Sequence, residues 1–167
     1  MYDRLTASDI KKMEEEIRYR KLTLRKDLIE DVKDARAQGD LSENFEYYAA
    51  KKEKNRNESR IRFLERMIRT AQVIEDSSKE NEVGMNDRVE VLYEEDGSIE
   101  SYRIVTTVRA NSLKNLISIE SPLGKALVGK TVGDRVEVKV NPTYSYYLVI
   151  QKIEKIDDDS EDRIRSY

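Results

Sequence analysis

The sequence predicts an α+β protein: an N-terminal antiparallel coiled-coil helical hairpin followed by a small β-sheet domain with one short helix. Three observations carry this. Between Ser8 and Ala37 there is no proline or glycine, and apolar residues fall at Ile10, Met13, Ile17, Leu24, Leu28, Val32 and Ala35, mostly three or four apart. A second glycine-free run, Ser42 to Glu75, places Tyr47, Ala50, Ile61, Leu64, Ile68 and Ala71 on heptad-like spacing, interrupted by Lys54 and Asn57. Beyond the polar stretch "EDSSKENEVG" the apolar period changes to two.

Each element follows from local signals. Thr6 or Ser8 can cap the first helix, and Gly39 in "QGDL" reads as its left-handed C-cap, so the short loop returns the second helix alongside the first. Arms of about 30 residues rise roughly 45 Å at 1.5 Å per residue, which puts the turn far from the rest of the chain. The alternating runs "DRVEVLY" (87–93), "IESYRIVTT" (99–107), "NLISIES" (115–121), "DRVEVKV" (134–140) and "YSYYLVIQKI" (144–153) are rich in β-branched and aromatic residues and read as strands. Between the third and fourth, "SPLGKALVG" offers Ser121 as N-cap, Pro122 as the first helical residue and Gly129 as the stop. The expected boundaries are a hairpin at 1–76, a linker at 77–82, the sheet domain at 83–156 and a loose polar tail at 157–167.

Composition narrows the chemistry. The 167 residues include no cysteine and no histidine, which removes thiolate nucleophiles, zinc-thiolate sites and the usual general base. What is left suits hard, oxygen-seeking cations such as magnesium. No stretch resembles a signal peptide, a transit peptide or a membrane span, so a soluble cytoplasmic protein is expected, with no membrane partner. A net charge of -3 argues against bulk coating of nucleic acid, while leaving local patches open.

The turn "QGDLSENFEYYAAKKEK" crowds Asp40, Glu43 and Glu46 together. Two readings compete, and they can coexist. Asp40 and Glu43 fit a capping box that satisfies free amide protons at the start of the second helix. Carboxylates at i and i+3 also lie about 5 to 6 Å apart on one helix face and could share a divalent cation, weakly, unless another protein completes the ligand set.

"GDLSENFEYYAAKKE" resembles the coiled-coil tip of the bacterial GreA/GreB transcript-cleavage factors, and "YRIV…NLISIESPLGKALVGKTVGDRVEVKV" resembles their C-terminal domain, in register from Leu5 to Ile156. The resemblance implies an FKBP-like C-terminal fold and a monomer that binds core RNA polymerase. It implies that the hairpin enters the secondary channel and stimulates cleavage of the nascent RNA 3′ end in backtracked complexes. The chain would then not be an enzyme alone. The family's metal-binding acids fall on Asp40 and Glu43, which would help hold a magnesium ion shared with the polymerase active site. Glu46 matches an acidic position with a supporting role, Asn44 matches a tip position, and Tyr47 matches one that also reads as seam packing. Phe45 stands where many relatives have alanine, and Tyr48 where they often have histidine. The alternative within this resemblance is a Gfh-type secondary-channel inhibitor without cleavage activity.

"KKEKNRNESRIRFLERMIR" holds eight basic and three acidic residues. Glu58 with Arg62 and Glu65 with Arg69 have i,i+4 spacing, whereas Lys52, Arg56 and Arg60 form a row with no evident acidic partner. That row reads either as a solvated face or, together with Lys51, as a contact for RNA or for acidic polymerase surface.

Overall fold

The structure, a computed structural model, describes residues 3–39 and 43–166. Two compact units emerge, one containing Ile10–Ala71 and the other containing Arg4–Asp9 with the chain from Gln72 onward. The spacing predicts a hairpin over 1–76, whereas Arg4–Asp9 and the residues just after Ala71 belong with the sheet unit. The reason is backbone pairing: strand β1 (Arg4–Leu5) lies parallel to β2 (Gln72–Val73), and Ile74 donates its N–H to the Leu5 carbonyl. No described helix is long and apolar enough to cross a membrane.

In the hairpin unit, α1 (Ala7–Tyr19) runs into a π-helical turn at Arg20–Leu24 and continues as α2 (Arg25–Arg36). The residue spacing predicts one uninterrupted helix here, and the π turn interrupts it. The return arm is α3 (Phe45–Thr70). Contacts cross between the arms in antiparallel order: Glu16 pairs with Arg60, Arg25 with Glu58, and the Arg36 guanidinium lies over the Tyr47 ring. Met13, Ala35, Ile61 and Leu64 are buried apolar residues of this unit, as their positions in the stripe require. Toward the middle the seam turns polar, because Arg20 and Asn57 occupy stripe positions on the two arms.

The sheet unit is built on a five-stranded mixed sheet in the order β5-β4-β3-β7-β6, formed by β3 (Arg88–Tyr93), β4 (Ile99–Val105), β5 (Leu116–Ser118), β6 (Arg135–Asn141) and β7 (Tyr144–Glu154). All neighbours are antiparallel except β4 and β5. Alternation along the strands sends Val89, Val91, Ile104, Val136, Val138, Leu148 and Ile150 into one core with Val83, Ile119 and Leu127. The short helix α4 (Pro122–Leu127) starts as expected, with the Ser121 hydroxyl accepting from the Gly124 N–H. Gly124 is obligatory, since a Cβ there would meet the Ser118 carbonyl oxygen at 2.0 Å. Gly129 follows the helix with φ +84°, a left-handed conformation that glycine adopts without strain.

The tail is not loose. The side chain of Arg109, fully buried, donates Nε to Asp9 (2.6 Å) and Nη1 to both Asn86 (2.7 Å) and Asp162 (2.7 Å). Arg103 also donates to Asp162 at 2.6 Å, and the Arg165 N–H reaches the Val108 carbonyl at 2.8 Å. A buried guanidinium needs compensating carboxylates, and the tail provides one. Asp9 has a second role: its carboxylate accepts from the Thr6 N–H while the Thr6 hydroxyl accepts from the Asp9 N–H, a reciprocal cap at the start of α1.

Candidate functional site at the hairpin tip

The site is built on two helix ends that meet. α2 finishes at Arg36 with Ala37 as C-cap, and Gly39 follows at φ +146°, outside the left-handed helical region expected of a C-cap glycine. The second helix begins at Phe45 rather than near Ser42, and its cap is Asn44. The Asn44 side-chain oxygen accepts from the Tyr47 N–H at 3.0 Å while its amide nitrogen donates to the Ala35 carbonyl at 2.6 Å. One side chain therefore satisfies an orphan donor of α3 and a carbonyl in the last turn of α2. The capping box expected of Asp40 and Glu43 is displaced: the cap lies at Asn44, so Glu43 precedes the helix instead of occupying its first turn. Asp40 lies outside the described residues.

Glu43 is exposed, and Glu46 is exposed in the first turn of α3, where the positive end of the helix dipole favours a carboxylate. Tyr47 is half-buried. Arg36 donates Nη2 to its hydroxyl at 3.4 Å with the guanidinium 5.4 Å from the ring centroid. That hydrogen bond, helped by the positive charge of Lys51, holds the Tyr47 hydroxyl below its ordinary pKa. Phe45 is 85% exposed and Tyr48 51% exposed, so the two aromatic departures form open surface at the beginning of α3.

The basic row separates on inspection. Lys51 and Lys52 are exposed. Arg56 is exposed but pairs with Glu53 at 3.1 Å. Arg60 is buried, donating to Glu16 at 2.8 and 3.2 Å. The expectation of a row without acidic partners is therefore overturned: Arg56 has a local i,i+3 partner in Glu53, and the partner of Arg60, Glu16, lies on the other arm, where no spacing along the chain could reveal it. The acids of the i,i+4 pairs also find partners on the other arm. Glu58 accepts two hydrogen bonds from Arg25 (2.7 and 2.9 Å) and Glu65 pairs with Lys21 (2.5 Å), both across the hairpin, while Arg62 donates to Ser59. The seam position between Ile17 and Leu24, filled by Arg20, was the available signal of a polar layer.

At that layer burial pushes the Glu16 carboxyl up, but hydrogen bonds from Arg60 and Arg20 together outweigh it and hold the group below its ordinary value. Arg25 does the same for Glu58 through its hydrogen bonds. These groups stiffen the arm. Among the described residues no cluster of three or more acids could hold a metal ion by itself.

The chain matches the family profile described as transcription elongation factor, N-terminal, over residues 4–73, and that described as transcription elongation factor, GreA/GreB, C-term, over residues 78–155. It is 43% identical over 135 residues to transcription elongation factor GreA of Bacillus subtilis, covering 81% of this chain and 86% of that one. It is 45% identical over 152 residues to transcription elongation factor GreA of Thermoanaerobacter pseudethanolicus, covering 90% and 96%. Among solved structures, GreA factor homolog 1 (Gfh1) of Thermus thermophilus aligns at 26% identity and a TM-score of 0.42 over 93% of this chain and all of that one. With both profiles matched across the hairpin and the sheet unit, the chain belongs to the GreA/GreB family of transcription elongation factors.

Proposed function

We propose that this elongation factor acts in the cytoplasm as a monomer on core RNA polymerase. Its hairpin enters the secondary channel and stimulates the polymerase's own cleavage of the 3′ end of a backtracked transcript. The observation that carries this reading is the exposed carboxylate of Glu43, held beside a helix start that Asn44 ties to the opposite arm. A carboxylate placed next to a helix start that is tied to the opposite arm can be delivered to a partner's active site with less positional freedom to lose on arrival.

The donor set fits a shared magnesium ion better than a resident one. Glu43 is a hard oxygen donor, and the chain offers no histidine or cysteine. Asp40 and Glu43 are the residues that would hold the ion, with the remaining ligands coming from the polymerase. Bound there, magnesium supplies charge neutralisation at the scissile phosphate and a more acidic water. The chain's own contribution is positional: Asn44 fixes the start of α3, Glu46 and Tyr47 support the turn, and the ion pairs Arg25–Glu58 and Lys21–Glu65 hold the arms together. Lys51, Lys52 and Arg56 remain candidates for contact with RNA or polymerase, and Arg60 is assigned to the hairpin's interior.

The test is cleavage of a labelled transcript in a stalled, backtracked polymerase with and without the full chain. Magnesium-dependent shortening of the RNA at its 3′ end, faster with the protein, is the expected result. Binding that slows synthesis without shortening the RNA would overturn the reading in favour of an inhibitor.

A further inference from the structure

Phe45 and Tyr48 lie at i and i+3 on α3, on the same helix face, and both are exposed, at 85% and 51%. Against the described residues Phe45 buries little of its ring, so hairpin packing among them does not account for a large side chain at the first helical position. Lys51 and Lys52 follow on the next turn, both exposed. Aromatic faces interleaved with cations along one helix are the arrangement that takes single-stranded nucleic acid, the rings stacking on bases and the cations meeting phosphates. Two rings make a patch too small for a stable protein interface, which needs several hundred square ångströms of apolar surface, but large enough for one base.

We propose that Phe45, with Tyr48 beside it, is a stacking platform for the unpaired base at the transcript's 3′ end. This rests on the polymerase reading above, and assigns it a residue that selects the substrate. Glu43 stands two residues from Phe45, so a base on that ring would bring its phosphate near the carboxylate proposed to share the magnesium ion. Stacking of this kind depends on a flat π-face rather than on hydrophobicity alone. A tyrosine or tryptophan should replace Phe45, and a leucine should not.

The experiment uses the full chain, a backtracked polymerase, and RNA whose 3′-terminal nucleotide either carries a base or is abasic. Phe45→Ala is expected to slow cleavage of the base-bearing RNA by about 5- to 140-fold, the range that loss of one aromatic stack gives, and to change the abasic reaction little. Phe45→Tyr should restore the rate, and Phe45→Leu should not. Full activity of Phe45→Leu would overturn the proposal in favour of an apolar contact with polymerase, and an equal loss on both RNAs would overturn it outright. A second readout separates this inference from the cleavage reading: RNA ending in 4-thiouridine should photocrosslink to the peptide containing Phe45, and less so in Phe45→Ala. If the wild type crosslinks there without accelerating cleavage, cleavage stimulation fails and the stacking site stands. If it neither crosslinks nor cleaves, both fail.

Discussion

Arg20 and Asn57 bind each other reciprocally across the hairpin: the Arg20 guanidinium donates to the Asn57 side-chain oxygen at 2.9 Å, and the Asn57 amide donates to the Arg20 carbonyl at 3.3 Å. The same carbonyl accepts the Arg25 N–H, the i to i+5 bond of the π turn at Arg20–Leu24. A π turn holds one residue more than an α-helical turn, which shifts every later side chain around the helix axis. Asn57 is buried where the shift occurs and fixes the register of the arms there, as a single polar seam residue does in a coiled coil. Replacing Asn57 with leucine should leave the hairpin helical but loosen its pairing, seen as faster amide exchange around Arg20 and Arg25.

The acids at the tip should separate folding from function. Glu43 precedes the helix and does not cap it, so Glu43→Gln should change thermal stability by no more than about 0.5 kcal/mol. Together with Asp40→Asn it should abolish most stimulated cleavage while leaving polymerase binding, with partial rescue at higher magnesium. Full cleavage by the double variant at ordinary magnesium would end the assignment of these two acids.

Asn44 should matter more for stability than either acid. Asn44→Ala removes the cap of α3 and the bond to the Ala35 carbonyl, a loss of about 1–2 kcal/mol. Asn44→Asp keeps the acceptor for the Tyr47 N–H and loses only the donor, so it should recover part of this. Urea unfolding followed by helical circular dichroism measures both.

The basic row should divide into a structural and a surface half. Arg60→Gln leaves Glu16 half-buried with Arg20 alone and should destabilise the hairpin by roughly 1–3 kcal/mol. Arg56→Gln and Lys52→Gln should stay within about 0.5 kcal/mol, because the Arg56 pair with Glu53 is exposed to water. Equal losses in all three would show that the row acts as one surface.

Acid should weaken the hairpin through the same layer. Glu16 titrates below its ordinary value of 4.5 in the folded chain, so its contribution is present above that pH and disappears as pH falls through the lower native value. The urea midpoint of the hairpin should drop as pH is lowered from about 6 to about 3, and Glu16→Gln should flatten part of that slope. An unchanged slope in Glu16→Gln would place the acid sensitivity elsewhere.

The tail gives the remaining test. Asp162→Ala removes carboxylate partners from Arg103 and buried Arg109 and should destabilise the sheet unit by about 1.5–3 kcal/mol. Glu161→Ala, next to it but exposed, should change stability by less than about 0.5 kcal/mol.

The sequence by itself determined the elements and the family. The heptad run from Tyr47 to Ala71, the alternation in "DRVEVKV" and the Ser121–Pro122 helix start are local patterns, because a helix or strand repeats its side-chain direction every few residues. The tip motif could be read for the same reason, being contiguous in the chain. Tertiary structure decided the charge partners that join distant segments. Arg60 chose Glu16, Glu58 chose Arg25, and Arg109 drew Asp9 and Asp162 together from opposite ends of the chain. An ion pair requires approach within about 4 Å, and in a chain so rich in charge, spacing offers many partners while only the packing of distant segments selects one. The cap at Asn44 rests on the same grounds, since Asn44 holds the Tyr47 N–H and the Ala35 carbonyl of the other arm at once, a bond between arms that local sequence does not show.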